Sequence, residues 1–150
     1  MLKSLFGQPA HPVYVHFPVA LFLLSSALLF FRVVDGQKHR LNRILKKIGL
    51  GNFDFEAFSL LSLFLGVTGG VVAIASGLAL VGGWENLPFP HGPLGLATVA
   101  CYLVLLLLRW VFGTSLYGRE GLRLFYYFLH VVGVILVILA GYQGGELHYQ

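Results

Sequence analysis

Apolar positions along this chain fall in long unbroken blocks separated by short polar stretches, not in the one-face or alternating patterns of a soluble core. Four blocks, at about 13–34, 56–82, 94–113 and 122–143, are each long enough to cross a hydrocarbon layer about 30 Å thick, which takes roughly 20 helical residues. None shows the period of two of a transmembrane barrel. Open strands leave backbone groups unsatisfied in lipid, so helices remain. The pattern predicts an all-α membrane protein, a four-transmembrane-helix bundle forming a single domain over residues 1–150. The first block lacks the basic start and small-residue cleavage site of a signal peptide and is read as a span.

One connection has a pattern of its own. Over 37–51, Leu41, Ile44, Leu45 and Ile48 share one helical face while Lys38, Arg40, Arg43, Lys46 and Lys47 lie mostly elsewhere, which predicts an interfacial amphipathic helix lying on the lipid surface. His39 belongs to its solvated side.

Composition agrees with the block pattern: 57% of residues are hydrophobic, 11% are charged, and the mean hydropathy is +0.82. The single cysteine, Cys101, has no partner in the chain, which excludes an intrachain disulfide and a thiolate metal cluster. Charge changes the picture more. Arg32, Lys38, Arg40, Arg43, Lys46, Lys47, Arg109, Arg119 and Arg123 flank the first and third connections, leaving only Lys3 for the other side. That asymmetry places both connections in the cytoplasm and both termini on the non-cytoplasmic face. The net charge of +4 is accounted for by this topology and by anionic lipid head groups, so no nucleic-acid partner is expected.

Gly66, Gly70, Ala73 and Gly77 in the second span, with Gly133 and Gly141 in the fourth, have the spacing of close helix packing first and of room for a flat cofactor second. Trp84, Trp110, Tyr14 and Tyr149 near span ends read as an aromatic belt.

Histidines carry the candidate chemistry. His11 and His16 flank the mouth of the first span in HPVYVHFP, His91 opens the third, and His148 closes the fourth, all on the outer side. The segment HPVYVHFPVALF at 11–22 resembles the opening of the bacterial membrane family known as domain of unknown function 2231, and the resemblance runs on to Gly144-Gly145-Glu146-Leu147-His148-Tyr149. His148 stands where that family usually has an apolar residue. The resemblance implies a small four-span protein of the bacterial cytoplasmic (inner) membrane, often associated with respiratory or c-type cytochrome components.

Neutral imidazole ligates haem iron, copper or zinc, and a b-type haem in a helical bundle is commonly held by one histidine from each of two helices. His16 and His91 are the predicted ligands, with Ala20 and Gly95 one turn below them as small floors for a porphyrin. His11 and His148 are reserve ligands. The alternative is that these histidines only cap helix ends in the interfacial zone. His130, about two turns into the fourth span from the other side, is expected to make a buried hydrogen bond to a tyrosine or a carbonyl, with ligation of a cofactor as the further reserve. No nucleophile elbow, phosphate loop or HExxH helix is present, which argues against a stand-alone enzyme. Two functions compete. One is a haem b electron-transfer subunit linking membrane quinol to a periplasmic or membrane redox partner such as a c-type cytochrome. The other is a cofactor-free accessory or scaffold subunit of a larger respiratory or photosynthetic membrane complex.

Overall fold

A computed structural model describes residues 11–35, 40–48 and 54–148, with the backbone alone for 11–13, 35, 40–42 and 147–148. Its helices are α1 (His11–Asp35), α2 (Arg40–Lys47), α3 (Phe55–Val81), α4 (His91–Phe112) and α5 (Glu120–His148), with 3₁₀ turns at Trp84–Asn86 and Gly113–Gly118. α1, α3, α4 and α5 are all long and apolar enough to cross a membrane, and the described residues contain no strand. The four long helices alternate in direction. One end of the bundle therefore carries the starts of α1 and α4 and the end of α5, and is called here the histidine end. The other, where Arg32 closes α1 and Arg109 closes α4, is the arginine end.

Boundaries follow local chemistry. Asp54 starts α3 by accepting hydrogen bonds from the backbone N–H groups of Glu56 and Ala57, both at 3.0 Å, which satisfies two otherwise orphaned donors. Gly82 stops that helix in the left-handed region, at φ +83°, where a side chain would be strained. α4 begins at His91, three residues before the sequence pattern suggests, because Pro93 falls in its first turn, where the missing N–H costs nothing. α1 begins at His11, so Pro18 lies inside the helix and not in its first turn. α5 runs five residues past its expected end, through Gly144 and Gly145 to His148.

α3 packs along α1, α4 along α5, and the α3–α4 and α1–α5 contacts close the ring, leaving α1 and α4 diagonally opposed. The seams of α3 with α1 and α4 are set by glycine. A methyl group at Gly66 would come within 2.7 Å of Phe22 Cδ1 on α1, and one at Gly70 within 2.8 Å of Val99 Cγ2 on α4. Across the diagonal Phe22 stacks on Tyr102, ring centroids 4.0 Å apart, and Tyr102 in turn fills the hollow at Gly133. Leu29, Leu63, Val67, Leu105, Leu116, Tyr126 and Val137 complete the core. The outer surface is apolar as well: Phe30, Phe58, Leu61, Val71, Leu107, Phe128, Val131 and Ile138 are exposed. An apolar outer surface around a core that also buries polar side chains such as Ser25, Ser59 and His130 suits lipid as the solvent.

Ile44 on α2 and Ile48 just past its end are exposed, and Arg43, Lys46 and Lys47 are exposed on other faces. Residues 37–39 and 49–51 of the expected interfacial helix, including Lys38 and His39, lie outside the described residues.

Candidate functional site

At the histidine end, His91 is the best-anchored imidazole. It is half-buried, and its Nδ1 lies 3.0 Å from the carbonyl oxygen of Ala140 on α5. A carbonyl only accepts, so Nδ1 carries the proton and donates, which leaves the Nε2 lone pair as the basic site. A metal-ligating histidine is usually held in this way, one nitrogen donating to a carbonyl and the other presented to the metal. The ring lies against Gly144, where a methyl group would approach His91 Cε1 to 2.8 Å. Positions 140, 144 and 148 recur every four residues and so share one stripe of α5, which puts His148 one turn beyond the contact with His91.

Other predicted residues are distributed differently. His16 is exposed on α1, and Ala20 one turn below it is exposed as well, so the small floor beneath His16 faces outward and not into the bundle. Gly95 is half-buried, with open space where a side chain would start. His91 is engaged with α5. His11 starts α1 and His148 ends α5, their side chains outside the described residues. Among the described residues there is no group of three or more His, Cys, Asp or Glu side chains that could hold a metal ion.

His130 sits in the middle of the bundle, 4% exposed. Its Nδ1 is 2.9 Å from the Ser26 hydroxyl, which is also 3.1 Å from the Tyr102 hydroxyl, so one serine joins α1, α4 and α5. The partner is thus a serine where a tyrosine or carbonyl was expected. The imidazole stands edge-on to Tyr126, centroids 4.9 Å apart, and to Tyr102, and its Nε2 has no hydrogen-bond partner. Next to it, Ser25 and Ser59 each donate to the other's carbonyl, at 2.9 and 2.8 Å, tying α1 to α3. Together these hydroxyls and the His130 imidazole place polar side chains from all four spans inside the bundle.

The arginine end holds an ion triad that sequence reasoning missed. Glu56 Oε1 is 2.5 Å from Arg109 Nη2, and Glu56 Oε2 is 2.8 Å from Arg32 Nη2, so one carboxylate bridges α1, α3 and α4. Arg109, the more buried guanidinium, also donates to the carbonyl of Gly113 just past its own helix. Tyr117 lies under both arginines. The signal was present: Glu56 is the one acid inside a predicted span, and it enters at the end where Arg32 and Arg109 leave theirs.

The family whose model matches residues 7–150 is described as predicted membrane protein (DUF2231). The chain belongs to that family. No curated protein and no solved structure matches it. Membership of this family of predicted membrane proteins agrees with four apolar spans and with lipid as the immediate neighbour of the exposed surface.

Proposed function

We propose that this protein is a small membrane electron-transfer subunit that ligates a cofactor through His91 at the histidine end. The observation that carries this reading is the hydrogen bond from His91 Nδ1 to Ala140, which fixes the tautomer with Nε2 free to bind a metal. The chemistry of that donor suits haem iron, and a b-type haem there would supply one-electron transfer between membrane quinol and an outer redox partner. Ala140 sets the orientation of the imidazole, and Gly144 provides the space in which it lies. A second ligand would come from His16, His11 or His148. The bundle interior does not fit a macrocycle, since the hollows at Gly66, Gly70 and Gly133 are filled by Phe22, Val99 and Tyr102. A cofactor therefore belongs at the mouth of the bundle. Both termini lie with it on the non-cytoplasmic face of a bacterial inner membrane, by the distribution of basic residues.

A reduced-minus-oxidised optical spectrum of protein purified from its native membrane tests this. Haem ligation by His91 gives a sharp low-spin difference band in the native chain and none in His91→Ala, with expression and helicity retained. A colourless native protein would remove the redox reading. The second reading, a cofactor-free accessory or scaffold subunit of a larger membrane complex, is favoured by those same filled glycine hollows, which make the bundle rigid without any cofactor.

A further inference from the structure

At the arginine end, four guanidinium groups gather about the 3₁₀ turn between α4 and α5. Arg32 lies 3.8 Å and Arg109 5.1 Å from the Tyr117 ring centroid, Arg123 Nη1 is 3.4 Å from the Tyr117 carbonyl oxygen, and Arg119 lies 5.3 Å from the Phe112 ring. Among the described side chains, the one acid in contact with them is Glu56, and both of its oxygens are already committed, one to Arg109 and one to Arg32. Asp54 and Glu120 share this end but not the cluster: Asp54 caps α3, and Glu120 is exposed in the first turn of α5. Arg109 is spent, buried between Glu56 and the Gly113 carbonyl. Arg32 is different, with its side chain 32% exposed after giving one nitrogen to Glu56. Arg123 is half-buried with only the Tyr117 carbonyl, and Arg119 is exposed.

We propose that Arg32, Arg123 and Arg119 form a binding site for the phosphate of an anionic glycerophospholipid. Three features of the cluster select that ligand. The cluster has more cations than acids, so it seeks an anion. The guanidinium is a rigid planar fork that matches phosphate oxygens, and these forks are held in place beforehand by Tyr117, Phe112 and Glu56, so little side-chain freedom is lost on binding. The site also lies where α1 and α4 end and α5 begins, at head-group depth, beside the exposed apolar side chains of Phe31, Val34, Trp110 and Val111 on which acyl chains can lie. A basic recess between transmembrane helices is a common lipid head-group site.

The experiment is native mass spectrometry of the full chain released from detergent with phosphatidylglycerol or phosphatidylcholine, alongside Arg32→Gln, Arg123→Gln and the double variant Lys46→Gln/Lys47→Gln on α2. A discrete one-to-one phosphatidylglycerol adduct is expected, with phosphatidylcholine much weaker. Either arginine variant should reduce it about fivefold, the worth of one basic residue near an anionic surface. The lysine double variant should leave it unchanged. Arg123 takes no part in the ion triad, so Arg123→Gln decides the matter if Arg32→Gln fails to fold. Equal retention of the two lipids, or a loss as large in the lysine variant as in the arginine variants, overturns the site. Competition by millimolar inorganic phosphate that displaces the lipid completely would show a free-anion site and overturn the lipid assignment.

Discussion

Replacing Glu56 by glutamine removes the charge that Arg32 and Arg109 share while keeping the shape of the side chain, and the structure ranks the consequences. Arg109 is 7% exposed in its side chain and would be left as a buried cation facing neutral groups, the Gly113 carbonyl, the Tyr117 ring and the new amide, with no counter-charge. Removing one partner of a buried pair costs about 3–5 kcal/mol. Glu56 itself is 22% exposed, so water screens part of that, and about 2–3 kcal/mol is expected for Glu56→Gln. Arg32, at 32% exposure, contributes at the level of a surface pair, so Arg32→Gln should cost about 1 kcal/mol or less. Reversible unfolding in mixed micelles, read by circular dichroism, gives these free energies. Glu56→Gln combined with Arg109→Leu should cost clearly less than the two single changes added, because the uncompensated charge is gone. Equal costs for Glu56→Gln and Arg32→Gln, or strict additivity with Arg109→Leu, would refute the triad as the element that joins α1, α3 and α4.

Three further outcomes are expected. Gly133→Ala drives a methyl group to 2.8 Å from the Tyr102 ring and should cost about 1–3 kcal/mol in the same unfolding assay, whereas Gly141→Ala on the same helix meets open space and should be neutral or slightly stabilising. Ser26→Ala removes the group bonded to both His130 and Tyr102 and should cost about 1–2 kcal/mol, an effect largely absent if Tyr102→Phe and His130→Phe are already in place. In sealed cells of a Cys101→Ser background, Lys46→Cys should label with an impermeant maleimide only after the membrane is opened, while tags on both termini are reached from outside; labelling of position 46 in intact cells would invert the orientation.

How much of this was legible in the sequence depends on the range of the interaction. The four spans were readable because lipid demands an unbroken apolar run, a property of consecutive residues, and each predicted span lies within a few residues of a helix. The close approach at Gly66 and Gly70 was readable for the same reason, since small residues four apart share a face. The partners across the bundle were not. Nothing along the chain pairs Ser26 with His130, 104 positions away, and although Glu56 enters at the end where Arg32 and Arg109 leave, its pairing with Arg109, 53 positions away, depends on how α3 and α4 are rotated about their axes. Helix rotation also decides the histidines. Spacing set Ala20 below His16, but α1 turns that face outward, while His91, matched with α1 on depth alone, is oriented by α5 through Ala140 and Gly144.

The claim that His91 is a cofactor ligand, and not a capped helix end, is tested most directly by titrating haem into the purified, detergent-solubilised chain and following the Soret band. The account predicts saturation at one haem per chain with a low-spin spectrum, lost in His91→Ala and unchanged in His130→Ala, because His130 is enclosed by Ser26, Tyr102 and Tyr126. A titration that fails to saturate, or one identical in His91→Ala and the native chain, would contradict it.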